Sequence, residues 1–516
     1  MQLKEVLLSL YAYQLAEYFD EGLQTPAENE IIKKELWENF ADRVAVQLNL
    51  PELQNLRNLL KIYQPNNPPT EIHSGWENLL VNNSPNLNLS ATSTLRGGSF
   101  RAQKIQDTYV ADLSLFYKEN TLILPQDLQQ LNPNGCLLQN HLKASIGQTI
   151  LLYAEPIFEG DRGADEENYQ KLAEACIQGL INDTIKPSLR LVNTGEWLGS
   201  PVFEYDNGEF NPQFQCHVLV WLARNPDSLE KQKKEFDFRI QNLFLYRHKV
   251  LYAYYQGREW YAAGQREAST LETKLPTFSN FIEKEPEPEI RLQKLKQLLA
   301  DTHKQGVEYS KCLRLVRDEY NTIAINTENF TEALKDLQTL KLEADDFGLW
   351  KKFLDLAQNK YLKQLEVDLN YLIAGQNLFQ DLVANIRGNL EIEQIEAERE
   401  IQENLIEQVT ESRNLQEALL DLQGELQENS EKDAISSRNL NITIAVVGTG
   451  MAGAGVVASS YELIKPEKPL LMPWDINAHG LHPFTISIGI SLLIGLIPAL
   501  LWLLVLSYLK SKNSRN

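Results

Sequence analysis

The sequence predicts an α+β cytoplasmic domain with a helical N-terminal unit, a long helical, coiled-coil stalk and a C-terminal two-helix transmembrane hairpin. Three observations carry this expectation. Strand-like runs of β-branched and aromatic residues lie between Tyr109 and Ala223, a helical stretch runs from Glu289 to Arg438, and two apolar runs occupy 442–461 and 484–509. The expected units are a helical domain at 1–63, a linker at 64–104, an α/β domain at 105–283, a stalk at 284–438 and the hairpin at 439–516.

In the first unit, Val6, Leu7, Leu10, Leu15 and Tyr18, then Leu36, Phe40, Val44 and Leu48, then Leu53, Leu59 and Leu60 recur at helical spacing, which predicts three helices. Pro51 suits the first turn of the third, where its missing N–H goes unused. From Gln64 to Lys104, Pro, Asn, Ser and Gly break every periodicity, so this stretch is expected to be a linker. Strands are expected at 109–117, 149–157, 189–205 and 214–223. An intervening helix over 166–181 carries Tyr169, Leu172, Ala173, Cys176 and Leu180 on one stripe. Asp206-Asn207-Gly208 is turn chemistry, which makes the last two strands an antiparallel pair.

After Pro226 the pattern becomes helical. Phe236, Ile240, Leu243, Phe244, Leu251, Tyr254 and Tyr255 share one face of a long helix that also carries Arg239, Arg247, Lys249 and Arg258. Aromatics at this spacing fill a core more often than they stack on bases, and the chain carries a formal net charge of −21, so no nucleic-acid partner is expected. Past the breaker KEPEPE at 284–289, three long helices are expected over 290–340, 345–386 and from Asn389, with a turn at Gly388. Leu362, Leu365, Leu369 and Leu372 form the apolar face of the second. On the third, Ile401, Leu405, Val409, Leu415, Leu419, Leu422 and Leu426 mark a seam close to the three-four alternation of a coiled coil, interrupted by Ser412.

The run at 484–509 has no charge over the roughly 20 residues needed to cross a bilayer, with Trp502 and Tyr508 toward its end. In the other run, Gly448, Gly450 and Gly453 have the spacing of a dinucleotide-binding loop. No βαβ unit follows, however, so these glycines and Gly455 read as small residues for close helix packing, with Ser459 beside a polar path. Lys510, Lys512 and Arg515 after the second run place both termini inside, and the N-terminus lacks a signal-peptide pattern. The expected location is thus the inner, plasma-type membrane, multi-pass, with the lipid bilayer as a partner. Four widely spaced cysteines read as reduced core thiols, and no catalytic set or cofactor motif is apparent, so no enzyme is expected. Glu196 and Glu204 are candidate paired carboxylates on alternate strand positions, and Asp475, His479 and His482 are candidate metal ligands in the loop between the apolar runs.

The order of parts from Tyr109 onward, an α/β domain, long stalk helices, a stalk helix running into the first apolar segment and a short basic tail, resembles the CorA-like two-transmembrane-helix family of divalent-cation channels. Its Gly-Met-Asn signature is absent: Gly450-Met451-Ala452 is the nearest string, and the matching exit reads Ser459-Ser460-Tyr461-Glu462. The resemblance implies a homo-oligomeric ring gated by its cytoplasmic domain, with a divalent cation as partner. GEWLGSPVFEYD followed by HVLVWL is also similar to segments of bacterial conflict-system proteins associated with caspase-like and TPR modules. Two functions follow as expectations: an oligomeric channel or membrane-perturbing effector, or a membrane-tethered signalling and protein-interaction adaptor that recruits a partner through residues 1–63.

Overall fold

A computed structural model describes residues 1–16, 26–64, 75–81, 84–119, 121–158, 165–181, 188–224, 226–284, 287–342 and 345–430. Contacts divide the chain into one unit of residues 1–284 and 296–387 and another of residues 285–295 and 388–516.

The first unit is built on a nine-stranded sheet: β1 (Gln2–Leu15), β2 (Trp76–Asn78), β3 (Leu87–Leu89), β4 (Leu95–Ile105), β5 (Thr108–Tyr117), β6 (Gly147–Ile157), β7 (Arg190–Trp197), β8 (Ser200–Asp206) and β9 (His217–Leu222). The order is β2-β4-β5-β1-β6-β9-β8-β7 with β3 also on β4, and among the described residues only the β6/β9 ladder is parallel. Beyond β7, Glu196 and Asp346 exchange backbone hydrogen bonds of 3.3 and 2.8 Å.

The expected N-terminal three-helix domain is corrected here, because β1 is an interior strand paired with β5 on one side and β6 on the other. Both its faces are covered. Leu8, Leu10 and Ala12 join the core that includes Leu36, Trp37 and Phe40, while Tyr11 packs on Phe244 at 5.6 Å and the Tyr13 hydroxyl donates to the Gln241 carbonyl at 2.9 Å. A strand buried on both faces is an almost continuous apolar run, which a period of 3.6 fits by accident. Residues 1–63 are therefore not a separate domain. The expected linker is corrected as well: it contains β2, β3 and most of β4. Polar residues are buried on β4 because they find partners, as where Gln103 accepts from Gln241 at 2.9 Å.

Short helices α1 (Pro26–Asn39), α2 (Ala45–Gln47), α3 (Pro51–Gln54) and α4 (Leu56–Leu59) join this core, and Pro51 takes the first helical position of α3. A one-turn α5 (Gln139–Leu142) precedes β6, and α6 (Glu166–Leu180) follows it. Asp165 caps α6 by accepting from the Asn168 amide at 2.8 Å, and the expected stripe from Tyr169 to Leu180 is its buried face.

The long helices are α7 (Pro226–Lys284) and α8 (Pro288–Gln338), then α9 (Gly348–Leu356), a π-helical turn (Ala357–Tyr361) and α10 (Leu362–Ser430). The expected turn at Gly388 is absent, since α10 runs through it. Within the first unit, Gly257 and Gly264 of α7 let Leu365 and Leu372 of α10 approach the helix backbone. Gly375 similarly accepts Tyr309 of α8, whose hydroxyl donates to the Leu372 carbonyl at 2.8 Å. A Cβ at Gly375 would overlap that hydroxyl. Gly375→Ala is thus expected to destabilise by about 2 kcal/mol despite alanine's roughly 1 kcal/mol better helix propensity. A urea midpoint equal to or above wild type would refute this packing.

Among the described residues no helix is long and apolar enough to cross a membrane. The long helices interleave charge throughout, as in Arg399, Glu403, Arg413 and Glu417 of α10. This finding corrects the expected fold class to an α+β architecture of a nine-stranded sheet with long helices, and withdraws the multi-pass location and the membrane-channel description. The two apolar runs lie outside the described residues. In the second unit, Arg291 donates to both carboxylate oxygens of Glu393, at 2.7 and 2.9 Å.

Candidate functional site

Where β6, β8, β9 and α7 meet, a chain of buried polar side chains crosses the core. Thr149 Oγ1 lies 2.8 Å from His217 Nδ1 and 2.7 Å from His248 Nε2. His217 Nε2 is 3.0 Å from Glu204 Oε1, and His248 Nδ1 is 3.2 Å from Gln215 Oε1. Glu204 Oε2 also accepts from Asn193 at 2.7 Å. Gly147, at φ +128°, makes room for this arrangement, because a Cβ there would stand 2.7 Å from His248 Nδ1.

Burial alone would raise the Glu204 carboxyl, but the His217 hydrogen bond, the charge of Arg247 and the Asn193 hydrogen bond outweigh it and hold the group below the usual carboxylate range. Burial first, then the charge of Arg247, lowers both histidines below the usual imidazole range, His248 furthest. Each imidazole is therefore neutral with a single N–H, and this fixes the direction of every bond. His217 Nε2–H donates to the Glu204 carboxylate, so His217 Nδ1 accepts from the Thr149 hydroxyl. Thr149 Oγ1 in turn accepts from His248 Nε2–H. His248 Nδ1 then needs a donor, and the Gln215 amide supplies one when its nitrogen occupies the position assigned to Oε1. The order Thr149, His217, Glu204 matches that of a nucleophile, base and acid. Thr149 is fully buried and His217 is 2% exposed, so the hydroxyl is out of contact with solvent. The relay braces the core.

At its Glu204 end the relay meets a cavity of about 160 Å³ lined by Asn193, Asp206, Arg247, Phe210, Phe353 and Tyr361, among others. Arg247, 6% exposed, donates from Nη2 to Asp206 at 3.0 Å and has its Cζ 5.4 Å from the Phe353 ring centre. Its Nε and Nη1 are closed to water and have no acceptor among the described residues. Buried guanidinium donors left in this state are costly, and such groups mark places where a further acceptor belongs. The far wall is the π-helical turn, where Tyr361 packs 4.5 Å from Tyr254, and turns of this kind concentrate at functional sites. A larger groove of about 800 Å³ along α7, beside Tyr252, Tyr255 and Trp260, is open and has no comparable buried, unmet donor among its described lining residues.

Glu196 and Glu204 are not brought together as a carboxylate pair. Glu196 forms an ion pair with Arg224, and Glu204 lies opposite Asn193 in the β7/β8 ladder. Gly448, Gly450, Gly453, Gly455, Ser459, Asp475, His479 and His482 lie outside the described residues. Among the described residues, no group of three or more His, Cys, Asp or Glu side chains could hold a metal ion. All four cysteines are free and buried.

The fold and site together define an α+β protein with a small charged and aromatic cavity between its sheet and its helical layer. No protein-family model matches the chain, and a search of curated proteins finds no match.

Proposed function

We propose that the first unit is a non-catalytic receptor domain that binds a small zwitterion of the amino-acid type in the Arg247 cavity. The two unmet guanidinium donors of Arg247 support this reading. A ligand carboxylate would accept from them, after the Phe353 ring that faces the guanidinium swings aside. Among the described lining residues, Glu204, Asp206 and Glu209 outnumber Arg247, so a purely anionic ligand is disfavoured and a ligand ammonium is compensated. Phe210, Phe353 and Tyr361 receive the apolar body, in the usual division of such pockets between apolar walls and a few polar anchors.

The test is a thermal-shift and calorimetric titration with the twenty L-amino acids as probes, on wild type and Arg247→Lys. Lysine keeps a cation for Asp206 but lacks the second and third donor nitrogens. At least one amino acid should raise the wild-type melting temperature by about 5 °C at a hundredfold excess over Kd, and the lysine variant should lose the shift. The proposal fails if no amino acid shifts the wild type, or if the shift survives in the variant.

A further inference from the structure

The second unit offers an interaction surface that is independent of the cavity. From Ile401 to Gly424 α10 is exposed on all sides: Ile401 is 42%, Leu415 61%, Leu419 40% and Leu422 54% accessible, with Leu405 half-buried. A helix in this state gains little from its own ion pairs, Arg399–Glu403 and Arg413–Glu417, which are worth a few tenths of a kcal/mol each. Helices of this length draw most of their stability from packing an apolar stripe.

The stripe is a heptad seam. Positions 401, 405, 408, 412, 415, 419 and 422 alternate in steps of four and three, which makes Ile401, Gln408, Leu415 and Leu422 d positions and Leu405, Ser412 and Leu419 a positions. The flanking g positions are Asn404, Glu411 and Ala418, and the e positions are Gln402, Val409 and Gln416. In a parallel pair each g residue meets the next e residue of the partner, so Glu411 faces Gln416 and no like charges oppose. In an antiparallel pair g faces g, and the register that lays the polar layers against each other brings Glu411 of one helix against Glu411 of the other. In the parallel, in-register pair Gln408 and Ser412 each meet their own copy.

We infer that residues 401–424 pair with the same residues of a second copy of this chain as a parallel, in-register, two-stranded coiled coil. The occupant of the seam is thus this protein itself, and the polar layers set the register.

The test uses the full 516-residue chain. Light scattering behind size exclusion should give twice the chain mass, and Leu415→Glu with Leu419→Glu should return it to one chain mass with the sheet core intact by near-UV circular dichroism. Orientation is read by oxidative cross-linking of two single variants, Gln408→Cys and Leu422→Cys, at d positions fourteen residues apart. The four native cysteines are buried and give little background. Both variants should cross-link to dimers, because both layers face themselves only in a parallel, in-register pair, whereas Glu403→Cys on the outer face should not. A monomer or a trimer by light scattering would overturn the inference. So would cross-linking at only one of the two sites, which an antiparallel pair would give, or a dimer that survives the double glutamate variant.

Discussion

Thr149→Val should lower the free energy of unfolding by about 3 kcal/mol, a large effect for an isosteric change of one buried atom. The hydroxyl is shared. It accepts from His248 Nε2–H and donates to His217 Nδ1, so valine leaves one buried donor and one buried acceptor unmet at roughly 1–3 kcal/mol each. Thr149→Ser retains both bonds and should lose less than about 1 kcal/mol, the cost of a deleted methyl group. Urea unfolding of the two variants separates these outcomes. A valine variant within 1 kcal/mol of wild type would show that the relay is not bonded in the direction derived above.

The second large effect is a dependence on pH with two opposing parts. His217 and His248 have folded pKa values depressed below the unfolded value of about 6.5, so the unfolded chain binds protons first on acidification. Their contribution is complete above pH 6.5 and declines below it, at up to about 1.4 kcal/mol per pH unit for each group. Glu319 of α8 acts in the reverse sense. Burial, and then the neighbouring Asp318, raise its carboxyl to about 8, so folding takes up a proton wherever the unfolded group is ionised. Its cost is absent below about pH 4.5, grows as pH rises and levels off above 8. The half-buried side chain screens part of this, which leaves about 2 kcal/mol. Glu319→Gln should therefore be indistinguishable from wild type at pH 4 and about 2 kcal/mol more stable at pH 8.5. With that opposing slope removed, the variant's stability should fall by about 2 kcal/mol between pH 6.5 and 5. A gain equal at both ends of the range would assign the effect to packing instead of ionisation.

Much of the sheet is legible in the sequence where local pattern and tertiary setting agree. β5, β6 and β9 lie within a few residues of the expected strands, α6 has its expected buried face, and the Asp206-Asn207-Gly208 turn opens the connection between β8 and β9, which pair antiparallel. The single run expected over 189–205 is two strands, because Leu198 and Gly199 both take positive φ in a tight turn that interrupts no apolar periodicity. β1 was hidden by being apolar on both faces, and β4 by being polar: Arg101 pairs with Asp112, and Gln103 is bonded beneath α7. The partner of Gln103 lies 138 residues away, beyond any local window. The site had the same difficulty. Glu204 and Arg247 were visible as charges in apolar surroundings, but Thr149, His217 and His248 acquire their roles only when three strands and a helix converge. The sole local sign was a histidine opening the run HVLVWL, which any core strand could carry.

The backbone contact between Glu196 and Asp346 has a consequence for aggregation. β7 ends the sheet, and a terminal strand presents free amide and carbonyl groups that can recruit a strand from a neighbouring molecule. Near Glu196 those groups are already engaged by a segment that leads into α9. An incoming strand would have to peel that segment away and give up two hydrogen bonds before forming any of its own. This stretch of the sheet border is in effect plugged against edge-to-edge polymerisation by the protein's own chain.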